Sequence, residues 1–188
     1  MRIWPALVSL RAGAVRCALG VPLLAVTACN AASSATPPRP YGLGPEGEVL
    51  ASPSAEVNQA YLAYWDAWLE ANRLLDPRAD QLANHAGEPN LSILRAALAE
   101  NKRAGLINRG TVGHRIDGIL AEGGLRRVYD CVDLSRWLIH DARTGKPIKQ
   151  LTDREPFLSI MTMRQIRGTW KVTDIQKPLP CTEPVAHS

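Results

Sequence analysis

The hydrophobic residues change period at Gly110. Before it, Val57, Ala60, Tyr61, Tyr64, Trp68 and Leu69 recur at three- and four-residue steps, the signature of one helix face. After it, Val112, His114, Ile116, Gly118 and Leu120 alternate with Thr111, Gly113, Arg115, Asp117 and Ile119, the signature of a strand. A chain whose helical and extended halves are segregated in this way packs as an α+β domain rather than as alternating βαβ units.

Punctuation sharpens both halves. Ser52-Pro53 starts a first helix that runs to about Leu74, with Trp65 at the edge of its apolar face. Asp76-Pro77 stops it and caps a second, short helix through His85. Asn90 caps a third through Ala104, and Gly105 is its stop. Asn90-Leu91-Ser92 also matches a glycosylation sequon, read here as accidental. In the extended half, Gly123-Gly124 turns the strand after Gly110 into Leu125–Ile139, the most strand-like run of the chain. Further strands are expected over Phe157–Ile166 and Thr169–Gln176, joined by the Arg167-Gly168 turn. Three N-terminal helices on an antiparallel sheet of about four strands result.

The formal net charge of +4 misleads about partners. Three of the 22 basic side chains, Arg2, Arg11 and Arg16, lie in the first 28 residues, which hold no acid. What remains is nearly neutral, so no electrostatic footprint for nucleic acid is present. A basic leader, an apolar run from Cys17 through Val26 and small residues before Cys29 have the order of a secretory signal peptide over residues 1–28. Val26-Thr27-Ala28-Cys29 resembles the bacterial lipoprotein box, which implies a lipid on Cys29 and an exported chain on the outer face of the cell membrane. Ordinary cleavage after Ala28, giving a secreted soluble protein, is the alternative. Residues 29–53, dense in Ala, Ser, Pro and Gly, read as a disordered tether, and residues 182–188 as a disordered tail.

Cys17 leaves with the leader and Cys29 belongs to the lipid, so Cys131 and Cys181 remain as an even pair in an oxidising compartment. A disulfide between them is expected. No C-x-x-C, phosphate loop, zinc-binding helix motif or serine-nucleophile elbow occurs, and no metal or cofactor is expected.

The aromatic-rich first helix, two shorter helices and a long meander ending in Trp170-Lys171-Val172-Thr173-Asp174-Ile175 resemble the cone fold of the nuclear-transport-factor-two-like superfamily, which includes ketosteroid isomerase, scytalone dehydratase and polyketide cyclases. Gly110-Thr111-Val112, Asp130-Cys131-Val132-Asp133 with Trp137, Thr144-Gly145 and Trp170-Lys171-Val172 resemble actinobacterial lipoproteins of unassigned function. The likeness spans residues 54–181 and implies a cone-shaped fold with a curved sheet.

A cone leaves a cavity between sheet and first helix, and cavities take ligands. Tyr61, Trp65, Trp68, His114, Tyr129, Asp130 and Trp137 are its candidate lining. For the helix aromatics, plain core packing is the competing reading. Asp130 is the sharpest residue, since a carboxylate between Val128 and Val132 is costly to bury unpaired. Facing the cavity, it suits a general base, with His114 or Tyr129 as proton donor. Otherwise Asp130 or Asp133 pairs with Arg115, Arg126 or Arg127 across the sheet, or accepts turn hydrogen bonds. Two functions are therefore expected: a non-catalytic module binding a small apolar ligand or an envelope protein, or a small isomerase, dehydratase or cyclase using Asp130. The oligomeric state is open.

Overall fold

The computed structural model describes residues 42–148 and 155–181. The expected signal peptide, the expected lipid site at Cys29, the expected tether up to residue 41 and the expected tail 182–188 lie outside the described residues.

Three helices come first, after a short hairpin. Helix α1, Ala55–Leu74, is capped by Ser54, whose Oγ accepts the Val57 amide at 3.4 Å. It ends at Leu75 in the left-handed conformation, φ 49°. Helix α2 is Asp80–His85, shorter than expected because Asp76 Oδ1 accepts the Arg78 amide at 3.0 Å and closes a turn there. Helix α3, Asn90–Ala104, ends on Gly105 at φ 68°, a conformation a glycine adopts without steric cost. The sequon is occupied structurally: Asn90 is buried and donates to the Tyr64 hydroxyl at 3.2 Å.

Nine strands are present among the described residues. β1, Gly42–Leu43, and β2, Val49–Leu50, form the hairpin ahead of α1. β3, Leu106–Gly110, pairs with β6, Trp137–Asp141, as a separate antiparallel ribbon. β4, Gly113–Glu122, β5, Leu125–Asp133, β7, Phe157–Ile166, and β8, Thr169–Ile175, form the main sheet in the order β4-β5-β7-β8, all antiparallel. The short β9, Leu179–Pro180, adds to β7. This is a mixed α+β fold with an antiparallel sheet, as the change of period implies.

Three expectations need correction. The run 125–139 is two strands: Asp133 Oδ1 accepts the Ser135 amide at 2.8 Å, turning the chain so that β6 pairs with β3 instead of extending β5. The alternation after Gly110 does not persist to Leu120. Ile116 opposes Asp130 and Gly118 opposes Tyr129, so Asp117 is an extra residue in a bulge and the faces exchange beyond it. Ile119 therefore packs toward the helices and Leu120 away from them.

The third correction concerns the tether, which does not reach residue 53. Ala51 exchanges two backbone hydrogen bonds with Ile119, at 2.9 and 2.8 Å, and Leu50 is fully buried. Composition missed this because one apolar side chain and a few backbone groups suffice to dock a hairpin onto an existing sheet.

The two faces of the main sheet carry separate cores. Val128, Val132, Met161, Met163 and Val172 meet Val57, Tyr61, Tyr64, Leu82 and Leu98 from the helices. On the other face Tyr129, Leu158 and Ile160 pack under Leu50. Each large side chain buried this way contributes about 1.5–3 kcal/mol. Both sheet edges are covered: β4 by Ala51, and β8 by Gly87, whose amide donates to the Val172 carbonyl at 2.9 Å. Lys171 Nζ donates to the Ala83 carbonyl at 2.6 Å and pins α2 to β8.

Candidate functional site

Between α1 and the main sheet lies a polar cluster. Asp130 on β5 shares the inward face with Val128 and Val132 and is fully buried. Tyr61, one helical face of α1, donates its hydroxyl to Asp130 Oδ2 at 2.7 Å. His114, opposite Val132 on β4, places Nδ1 2.6 Å from the same oxygen. One carboxylate oxygen thus accepts the Tyr61 hydroxyl and faces His114 Nδ1 at hydrogen-bond distance. Burial, and then the nearby Asp130 charge, hold the Tyr61 hydroxyl well above its usual pKa, so it remains a donor. Trp65 tilts over His114 with ring centroids 5.1 Å apart. Asp130 Oδ1 and Trp65 Nε1 have no hydrogen-bond partner.

This cluster joins α1 to β4 and β5. The groove beside α1 described below is lined by none of Tyr61, Trp65, His114 and Asp130. Asp130 itself is enclosed completely, and the member of the cluster that reaches solvent is His114, whose side chain is 17% exposed. Tyr129 is not the proton donor beside Asp130. It points to the opposite face and donates to Glu48 at 2.8 Å. Burial, then Glu48, pushes the Tyr129 hydroxyl up to about 12. Asp133 takes the turn hydrogen bond from the Ser135 amide at 2.8 Å, while Arg115 pairs with Asp117 and Arg127 with Glu122.

The remaining two candidates meet outside the cluster. Trp68 on α1 and Trp137 on β6 pack edge to face, centroids 6.3 Å apart, and Trp137 lines a groove of about 580 Å³ between α1 and the β3–β6 ribbon. Leu69, Asp66, Glu70 and Arg73 line it from α1, with Asn108 and Arg109 from β3. Asn72, buried in α1, ties the two walls: its Oδ1 accepts from Asn108 Nδ2 at 3.0 Å while its own amide donates to the Trp68 carbonyl at 2.8 Å. The lining residues of α1 sit at positions 66, 69, 70 and 73, the helical spacing of one flank. That spacing was readable; the β3 wall was not, because Leu106–Gly110 carries no alternation.

Cys131 and Cys181 form a disulfide, Cα atoms 5.7 Å apart, which fits an oxidising, extracytoplasmic location. Among the described residues no three metal-ligating side chains converge, and no helix is long and apolar enough to cross a membrane.

No family model and no curated protein matches the sequence. Among solved structures the chain is similar to the intermembrane space region of chloroplast protein ARC6, at 14% identity and TM-score 0.45, over 69% of this chain and 100% of that one. It is also similar to a protein of unknown function with a cystatin-like fold from Nostoc punctiforme PCC 73102, at 9% identity and TM-score 0.41, over 66% of this chain and 92% of that one. Likenesses this distant carry neither activity nor partner to the present chain.

Proposed function

We propose that this chain is an exported binding module with the cone fold of the nuclear-transport-factor-two-like superfamily, held at the outer face of the membrane by a lipid on Cys29, which engages its ligand without transforming it. Three helices against one face of an antiparallel sheet support the cone, and the Cys131–Cys181 bridge supports export. The observation that carries the binding reading is the contrast between two sites. The interior polar groups are packed against one another with Asp130 sealed off, whereas the groove beside α1 presents Trp137 and an exposed Arg109 that has no ion pair among the described residues.

Retention on isolated envelopes of the producing organism tests the groove. A Cys29→Ser chain, lacking the lipid attachment atom, is expected to co-sediment with them. The same chain carrying Trp137→Ala and Arg109→Glu is expected to stay in solution with an unchanged far-UV spectrum. Equal retention of the two would remove the groove from the account. Incorporation of labelled palmitate by wild type and not by Cys29→Ala tests the anchor.

A further inference from the structure

The groove beside α1 is charge-balanced: Asp66 and Glu70 face Arg73 and Arg109. Glu70 and Arg73 are already joined at 2.6 Å. A site for an anion or a cation concentrates one sign of charge, and this one does not. A site for an acyl chain or an apolar peptide face needs an apolar lining, and only Leu69 and Trp137 supply one here. What the walls do offer is planar, forked hydrogen-bonding groups of three kinds around one large ring: carboxylates, guanidinium groups and the Asn108 amide.

Vicinal hydroxyls on a sugar ring are each donor and acceptor, and such pairs match these forks in a bidentate manner. The C–H face of a pyranose is apolar and slightly electropositive, suited to the negative face of an indole. We infer that the groove binds a neutral oligosaccharide, with Trp137 as the stacking platform and Asp66, Asn108 and Arg109 as the hydroxyl-reading groups; this deepens the binding-module reading and rests on it.

The frame is built to hold that platform still. Trp137 packs against Trp68 and opposes Gly110 in the β3–β6 register. At Gly110, φ 116°, a Cβ would fall on the Arg136 carbonyl oxygen, so the ribbon closes tightly there. A rigid aromatic anchor loses little entropy on binding. At about 580 Å³ the groove falls within the roughly 300–1,000 Å³ of small-ligand sites.

Calorimetric titration of the purified full chain with chitotetraose, maltotetraose and mannotetraose tests this, alongside a tetrasaccharide of glucuronic acid. Saturable binding of at least one neutral probe is expected, insensitive to added salt and weakened at least about tenfold by Trp137→Ala and by Arg109→Ala. Arg109 is exposed, so its variant reports on binding even if Trp137→Ala perturbs the fold. The inference is overturned if no neutral probe binds, if both variants bind as wild type, or if only the glucuronic acid probe binds in a salt-sensitive manner. Should the neutral probes fail while envelope retention still depends on Trp137 and Arg109, the oligosaccharide falls and the binding module stands; failure of both assays removes both.

Discussion

His114 Nδ1 lies 2.6 Å from Asp130 Oδ2, and the aspartate beneath it is closed off from solvent completely. The same oxygen accepts the Tyr61 hydroxyl at 2.7 Å, so one carboxylate oxygen holds a helix and a neighbouring strand to β5. Taking a carboxylate out of water is costly, and only these two partners offset it. The pair is therefore a joint in the fold whose loss is felt by the whole domain.

Replacing Asp130 with Ala strands the buried Tyr61 hydroxyl and removes the partner of the part-buried His114, and the expected cost is about 1–3 kcal/mol. Tyr61→Phe removes one hydrogen bond to a charged acceptor, at about 1.5–3 kcal/mol. Urea unfolding of the two single variants and of the double variant checks both values. The double variant should be less destabilised than the sum of the singles, because they share one contact. A loss below about 1 kcal/mol for Asp130→Ala would mean that the cluster does not hold α1 to the sheet.

Alkaline stability follows from the buried phenols. Burial pushes Tyr64 up to about 12, and burial with the Asp130 charge holds Tyr61 well above the ordinary value of about 10. The folded state grips these protons more tightly than the unfolded one. Their contribution is therefore complete below about pH 10 and is lost as pH climbs through the folded values. Tyrosinate absorbance should lag behind that of free tyrosine and then rise together with unfolding. Tyr61→Phe should make the alkaline loss of stability shallower. Gradual ionisation near pH 10 with the fold intact would contradict the burial of these rings.

Much of this arrangement was legible in the chain, and what was not has physical causes. Period three-to-four placed Val57, Tyr61 and Tyr64 on the buried face of α1, and period two placed Asp130 beside Val128 and Val132. The cysteine pair needed only subtraction and a compartment. The bulge at Asp117 was invisible because a single inserted residue leaves the alternation intact on both sides of it. The end of β5 was hidden because Asp133 turns the chain through its own side chain, in a run whose composition is strand-like throughout. The groove was half visible, its α1 flank spaced helically and its β3 wall without any pattern.

The hairpin at residues 42–50 belongs to the domain, and its anchor is Leu50. Fully buried against Tyr129, Leu158 and Ile160, it fills the outer face of the sheet. Leu50→Ala should cost about 2–5 kcal/mol by thermal or chemical unfolding. Val49, 63% exposed, serves as the control and should change stability by no more than about 0.5 kcal/mol on replacement by Ala. A chain beginning at residue 54 should lose at least as much as Leu50→Ala, since the Ala51–Ile119 bonds and the Glu48–Tyr129 bond go with it.

The bridge from Cys131 to Cys181 acts on the same outer face by another route. It spans 50 residues, and closing a loop of that length removes about 4 kcal/mol of unfolded-state entropy in the chain-entropy model. Its native-state effect is local: Cys181 directly follows β9, which pairs only with Phe157 and Leu158 at the start of β7. Two residues of strand pairing cannot hold an end alone, so the sulfur link is what keeps β9 docked. Cys181→Ser should therefore lower stability by about 4 kcal/mol. It should also raise amide exchange at β9 and at its partners on β7 well before the rest of the sheet opens. Alkylation of the unfolded, unreduced chain should leave both cysteines unmodified. Two reactive thiols at these positions, or uniform exchange across the sheet in the Ser variant, would show that β9 is held by something other than the bridge.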